Sequence, residues 1–164
     1  FYIFGIGVDD NKFKTLTKND KILIRKKLGY NSNDFILLYI AEFIYRKNHR
    51  FIIDSLPELI KSIPKIKVLF AGKEGVLMKS LMEYSKKLEV DRYIDFLGFR
   101  DDIYEIAAIA DIGISSSRQE GLGLGLAEEM QCSIPIVATY DRGHKEMINH
   151  GLNGYMFKLS LIHI

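Results

Sequence analysis

The chain has 164 residues, 48% hydrophobic and 27% charged, a composition typical of one water-soluble globular domain rather than a disordered or fibrous chain. Lysine and arginine number 23 against 21 aspartates and glutamates, and this net charge of +2 argues against a nucleic-acid-binding protein. No apolar run approaches the roughly 20 residues that span a bilayer, and the opening FYIFGIGVDD carries no basic leader, so we expect a cytoplasmic protein.

Short apolar runs alternate with longer segments of helical periodicity along the chain. The runs are nearly continuous, as in strands that are covered on both faces of a sheet. The sequence therefore predicts an α/β fold with a parallel sheet and helices on both faces. Strands are predicted over residues 35–41, 67–71, 93–97, 111–115 and 134–139.

Helices are predicted between these strands. The first crossover helix contains Pro57, and an interior proline costs about 3 kcal/mol in a straight helix. We therefore expect a kink there or a late start capped by Asp54 or Ser55. Further helices are predicted over residues 20–28, after the turn at 72–75, over 103–110 and from within 121–125.

The most informative loop follows the fourth predicted strand, because open parallel sheets bind ligands at the carboxyl ends of their strands. SSSRQEGLGLGLAEE places Gly121, Gly123 and Gly125 between that strand and a helix. Glycines let a backbone approach a ligand closely, and a helix N-terminus offers unpaired N–H groups, so the turn suits a phosphate. The alternative is that these glycines only permit tight packing of the strand on the helix. Leu126 breaks the dinucleotide pattern G-x-G-x-x-G, which disfavours an NAD-dependent enzyme.

Charged residues flank this turn. Glu120 and Glu128 are expected to lie on the order of 10 Å apart, suited to the hydroxyls of a sugar or ribose, whereas Glu129 is interpreted as a solvated helix residue. Lys47 and Arg46 follow the first strand and are expected to face the same crevice. Together they could neutralise a diphosphate without a metal ion.

No His, Cys and carboxylate cluster has the spacing of metal ligands, so we expect no metal. Cys132 is interpreted as a buried, inert thiol rather than a nucleophile paired with His144. The basic runs at 25–27 and 86–87 are interpreted as solvated helix faces, with weak contact to an acidic membrane surface as the alternative.

Taken together, these motifs resemble the C-terminal, donor-binding domain of the family 4 (group 1) glycosyltransferases, which have the GT-B fold. The resemblance covers nearly the whole chain, and its core is the E-x7-E motif from Glu120 to Glu128 within S-x-x-E-G-x-G-L. The other matching blocks are GVDDNKF, KNHRFIIDSL, FAGKEG, IDFLGFRDDIYEIAAIADIGI and IPIVATYDRGHKEMINHGLNGY.

The resemblance implies a Rossmann-like, nucleotide-sugar-binding domain over residues 18–164, one half of a GT-B architecture. Residues 1–17 would form the interdomain connection, and an N-terminal acceptor domain would be missing. It further implies a retaining, metal-independent transferase with a nucleotide-diphosphate sugar such as a UDP-sugar as donor and no separate cofactor. The implied setting is polysaccharide biosynthesis in the cytoplasm or at the inner face of the membrane. We expect the chain, which ends in SLIHI, to be a fragment that is inactive alone.

The same resemblance implies roles for individual residues. Glu120 would orient the donor sugar as the catalytic residue, Glu128 would hold the ribose hydroxyls, and Lys47 would bind the diphosphate. The base would meet the backbone of Phe99 and Arg100. The sugar and phosphates would meet the amides around Gly121, Leu122, Gly123 and Leu124.

Two departures from the family pattern bear on catalysis. Glu42 stands where many members carry an arginine five residues before the lysine, so part of the phosphate clamp is missing or is supplied by Arg46. The small residues usual around E-A-M-A-x-G-x-P are altered to EEMQCSIP over residues 128–135. A non-catalytic α/β nucleotide-binding or interaction module is therefore the alternative.

Overall fold

Six short strands form one parallel sheet in the computed structural model, which describes residues 7–159. The order across the sheet is β3-β2-β1-β4-β5-β6, so the direction of winding reverses between β1 and β4. The loops after these two strands therefore face each other at the carboxyl edge, where such sheets bind ligands. The strands are β1 (Phe35–Ile40), β2 (Ile66–Ala71), β3 (Ile94–Gly98), β4 (Ile112–Ser115), β5 (Ile136–Thr139) and β6 (Gly154–Phe157).

Six α-helices accompany the described strands, and the predicted Rossmann-like α/β fold is confirmed. Neither α6 nor β6 was predicted, and the ends of the other elements differ from the predicted ones by one or two residues in most cases. The expectations for residues 1–6 and for the terminal SLIHI lie outside the described residues. The helices are α1 (Lys18–Lys27), α2 (His49–Ser62), α3 (Met78–Lys87), α4 (Ile103–Ile109), α5 (Leu124–Gln131) and α6 (Arg142–Met147), with 3-10 turns at Tyr45–Lys47 and Asp91–Tyr93.

The sheet is covered on both faces. Successive residues of a strand point to opposite faces, and β1 divides its buried side chains accordingly. Leu37 and Tyr39 belong to one apolar cluster, with residues of α2 and α3. Ile36 and Leu38 belong to another, with residues of α4. Within residues 7–159, no helix is both long and apolar enough to cross a bilayer.

Helix α2 corrects one expectation. It begins at His49 and runs past Pro57, so a late start capped by Asp54 or Ser55 is wrong. Pro57 is exposed on the solvent side of the helix. Burial of each large apolar side chain stabilises by about 1.5–3 kcal/mol, so three of them outweigh the roughly 3 kcal/mol cost of the proline. The three fully buried side chains are Ile52, Ile53 and Leu56.

Two residues interpreted as solvated are buried instead. Glu129 of α5 is 0% exposed, because this side of the helix packs on β4, and a Cβ on Gly113 would lie against its carboxylate. Arg25 of α1 is also buried, and its Nη2 donates to the carboxylate of Asp111 at 2.7 Å and to the carbonyl of Ile109 at 2.8 Å. Arg25 is thus a structural ion-pair residue, not part of a basic surface.

Candidate functional site

An ion pair joins the loops after β1 and β4. Lys47, which ends the 3-10 turn after β1, contacts Oε2 of Glu120 with its ammonium. The two side chains are only 15% and 10% exposed. Ser117 donates a hydroxyl hydrogen bond to the same oxygen at 3.0 Å, and Nη1 of Arg46 lies 3.8 Å from Oε1. The structure therefore brings together Glu120, Lys47 and Arg46, three of the residues predicted for the site.

Main-chain contacts fix Lys47 in this position. The hydroxyl of Tyr39, in β1, donates to the carbonyl of Lys47 at 2.7 Å. The hydroxyl of Ser116 donates to the carbonyl of Asn48 at 2.8 Å, and the amide of Arg118 donates to the carbonyl of Arg46 at 2.9 Å. The two loops are thus joined along their length, which holds the ammonium and the carboxylate together.

The environment keeps Glu120 ionised. Burial by itself would raise the pKa of this carboxyl, but the ammonium of Lys47 and the hydroxyl of Ser117 outweigh burial. The pKa of Glu120 is therefore below its ordinary value. A partly buried carboxylate with one neutralising cation and one hydroxyl donor can still accept hydrogen bonds from hydroxyl groups of a ligand.

A cleft of about 620 Å³ opens beside this ion pair. Among the predicted site residues, Arg46, Glu120 and Gly121 line it. Sequence reasoning missed the wall that α6 contributes, because α6 itself was not predicted. An aspartate just before a helix is a capping signal, and Asp141 carried that signal. The other lining residues are Gln119, Asp141, Arg142 and Glu146.

The three glycines of the turn have different surroundings. Gly123 precedes α5 in a left-handed conformation, with φ of 76°, which favours glycine. A Cβ on Gly125 would lie 2.8 Å from the carbonyl of Ile40, so this glycine serves close packing on β1. A Cβ on Gly121 would meet nothing within 4 Å, so packing does not account for this glycine. Within the described part of the chain, the amides of residues 121–125 donate to no protein acceptor.

The remaining predicted site residues do not line this cleft. Glu128 is half-buried on α5, and burial raises the pKa of its carboxyl. Phe99 is 71% exposed in the loop after β3, and Arg100 forms a two-point hydrogen-bonded pair with Asp102 at 2.6 and 2.7 Å. Leu122 is half-buried and Leu124 is exposed beside the glycines, and Glu42 is exposed after β1. Glu128 lies within α5, and the other residues follow the carboxyl ends of β1, β3 and β4 without lining the cleft.

Cys132 and His144 are both buried and do not form a nucleophilic pair in the described structure. Cys132 is 3% exposed, and burial raises the pKa of its thiol to about 11. Nδ1 of His144 lies 2.8 Å from the carbonyl of Thr139. Among residues 7–159, no group of three side chains has an arrangement that could hold a metal ion.

Comparison with known proteins gives a family match over most of the chain. The sequence profile described as Glycosyl transferases group 1 matches residues 20–160. EpsD of Bacillus subtilis (strain 168), whose own assignment as a glycosyltransferase is provisional, is 36% identical over 157 residues. That alignment covers 96% of this chain but 41% of EpsD, so the chain spans less than half the length of this relative.

Solved structures with the same fold include two useful neighbours. Anabaena Alr3699/HepE, crystallised with UDP-glucose, superposes with a TM-score of 0.82 at 29% identity, over 93% of this chain and 42% of HepE. The C-terminal domain of LpcC, a group 1 glycosyl transferase of Francisella tularensis, superposes with a TM-score of 0.76 at 22% identity. This second alignment covers 93% of the chain and 80% of the LpcC domain, and it bears on the fold alone.

Proposed function

Because the chain belongs to the group 1 glycosyl transferases, we propose that it forms the donor-binding half of a retaining enzyme that transfers a glycosyl group from a nucleotide-diphosphate sugar. The observation that carries this proposal is the largely buried ion pair of Lys47 and Glu120, beside a glycine turn whose amides have no acceptor among the described residues. This combination offers fixed positive groups for a diphosphate and a fixed carboxylate for sugar hydroxyls.

The diphosphate part of the proposal rests on charge. As the glycosidic bond breaks, negative charge grows on the leaving diphosphate, and donors already aimed at that position stabilise the transition state. The ammonium of Lys47 and the amides of residues 121–125 would act in this way. Arg46 would add a guanidinium in place of the arginine that Glu42 replaces. No metal ion is part of this proposal.

The sugar and nucleoside parts rest on the carboxylates and on the loop after β3. Glu120 would accept hydrogen bonds from donor sugar hydroxyls, and Glu128 would accept them from the ribose. The backbone of Phe99 and Arg100 would meet the base. HepE, which was crystallised with UDP-glucose, supports a uridine nucleotide as the first ligand to try.

The acceptor would be held by a second, N-terminal domain, so the chain alone would not transfer sugar. We assign the activity to surface-glycan or other polysaccharide assembly on the cytoplasmic side of the membrane. The alternative is a nucleotide-binding module without catalysis. It is favoured by Glu42, which stands where many members of the family carry an arginine of the phosphate clamp. Turnover by a longer protein that includes this chain, with an α-configured product from an α-configured donor by NMR, would favour the retaining enzyme. Tight nucleotide binding without turnover would favour the module.

The binding test is a calorimetric titration of the chain with UDP and with GDP. We expect Lys47→Ala and Glu128→Ala each to weaken binding by about 1–3 kcal/mol, roughly 5- to 150-fold. Lys86→Ala, an exposed lysine on α3, is the matched control and should bind as the wild type does. Melting temperatures establish that each variant is folded. Equal affinities for the wild type and both site variants would refute the proposed site.

A further inference from the structure

Asp141 links the wall of the cleft to the main chain of Glu120. Its Oδ2 accepts a hydrogen bond from the amide of Glu120 at 2.9 Å and from the amide of Gly143 at 3.2 Å. The second contact caps α6, whereas the first joins residues 21 positions apart in the sequence. One carboxylate oxygen therefore ties the loop after β4 to the start of α6.

Neighbouring contacts show that the two segments are fitted to each other. A Cβ on Gly143 would lie 2.4 Å from the carbonyl oxygen of Gly121 and 2.6 Å from that of Glu120, so α6 approaches this loop backbone to backbone. The hydroxyl of Thr139 donates to the carbonyl of Ser117 at 2.6 Å. Residues 139–143 thus hold the loop at several points. Within this segment, Asp141 is the residue whose side chain hydrogen-bonds to Glu120 itself.

The charge of Asp141 fits this use. Burial would raise the pKa of its carboxyl, but the main-chain amides of Glu120, Gly143 and Arg142 outweigh burial and bring the pKa below its ordinary value. An ionised carboxylate only accepts hydrogen bonds, so it serves both amides at once. Charge-assisted hydrogen bonds are about twice as strong as neutral ones.

We propose that Asp141 is a positioning residue for Glu120. Lys47 and Ser117 fix the carboxylate of Glu120, and Asp141 fixes its main chain, so the side chain reaches the cleft from a defined point. This inference rests on the proposed role of Glu120 toward the donor sugar. It implies that loss of Asp141 weakens the contact of Glu120 with the donor sugar, whereas Lys47 still binds the diphosphate.

The test compares Asp141→Ser with Asp141→Asn in the isotope-labelled chain. Serine still caps a helix but is too short to reach Glu120, whereas asparagine can accept both hydrogen bonds. Hydrogen exchange of the Glu120 amide should be about tenfold faster or more in Asp141→Ser and near wild type in Asp141→Asn. Asp91→Ser, an exposed aspartate in the 3-10 turn before β3, is the control and should leave this exchange unchanged.

The same variants are titrated with UDP and with UDP-glucose. In Asp141→Ser we expect the affinity for UDP to stay within about twofold, and the affinity for UDP-glucose relative to UDP to fall about fivefold or more. Asp141→Asn should restore this ratio. A residue that only stabilised the fold would not change the ratio, and an unchanged ratio would overturn the inference.

The outcomes also separate this inference from the proposed function. Unchanged exchange of the Glu120 amide in Asp141→Ser, with nucleotide binding intact, would refute the role of Asp141 alone. A wild-type chain that binds neither nucleotide would refute the proposed function and, with it, any positioning for a sugar. If Asp141→Ser does not fold, a through-hydrogen-bond NMR coupling between the Glu120 amide nitrogen and Cγ of Asp141 decides in the wild type. Absence of that coupling would overturn the inference.

Discussion

Replacement of Glu129 by methionine should stabilise the chain. The carboxyl of Glu129 is fully buried, and neither of its oxygens has a hydrogen-bond partner within the described residues. Burial, with the charge of neighbouring Glu128, raises the pKa of Glu129 well above its ordinary value of 4.5. Keeping such a group neutral at pH 7 costs at most about 3 kcal/mol, at 1.36 kcal/mol per pH unit. Glu129→Met removes this cost at similar side-chain length, so we expect a gain of about 1–3 kcal/mol in the free energy of unfolding.

The pH dependence separates this cause from better packing. A raised pKa in the folded state means that the contribution of Glu129 is fully present below pH 4.5 and is lost as the pH rises through the folded-state pKa. The advantage of Glu129→Met should therefore grow from pH 5 to pH 8. Thermal melts should show about 2–4 °C per kcal/mol for a domain of this size. The control is Glu83→Met, an exposed glutamate on α3, which should stay within about 0.5 kcal/mol of the wild type. No gain in Glu129→Met at pH 8, or a gain independent of pH, would refute the reasoning.

Three further predictions concern the scaffold around the site. Gly143→Ala should lower the free energy of unfolding by about 1–3 kcal/mol in chemical denaturation, because its Cβ would press on backbone oxygens. Gly121→Ala has open space around its Cβ and should not lower it, so equal losses in the two variants would contradict this prediction. Asp111→Ala should cost about 3–5 kcal/mol at neutral pH, because it leaves the buried guanidinium of Arg25 without its carboxylate. Burial opposes ionisation of Asp111, but the amide and cations around it bring its pKa below 3.8. Its contribution is therefore present above that pH and is lost as the pH falls through the folded-state pKa, and a loss of stability in Asp111→Ala that does not shrink as the pH is lowered below 3.8 would contradict this. Native Cys132 should resist iodoacetamide at pH 8 and react after unfolding, as mass spectrometry would detect, and rapid native labelling would disprove its burial.

The sequence was sufficient for the fold because its signals were local. Continuous apolar runs marked the first five strands, and the glycine turn marked the start of α5. The position of Lys47 beside Glu120 followed from topology, since the loops after adjacent parallel strands meet at one edge of the sheet. Pro57 led to the wrong expectation of a late start for α2, because the burial of three apolar side chains outweighs the cost of one proline inside the helix.

Other features depended on tertiary packing that local patterns do not contain. Glu128 and Glu129 are adjacent acids in one helix, and only the packing of α5 on β4 decides which of them is buried. Helix α6 has six residues, too few for a periodic pattern, so its wall of the cleft was not foreseen. The contact between Asp141 and the amide of Glu120 joins residues 21 positions apart in the sequence, whereas helix-capping patterns relate residues only a few positions apart.

The most direct test of the nucleotide site is an amide NMR titration of the labelled chain with UDP. If a diphosphate binds where we propose, the largest shifts fall on residues 121–125 and on the loop that carries Lys47, and Lys47→Ala diminishes them. Shifts that avoid the glycine turn, or that are the same in Lys47→Ala, would contradict a phosphate-binding role for these amides.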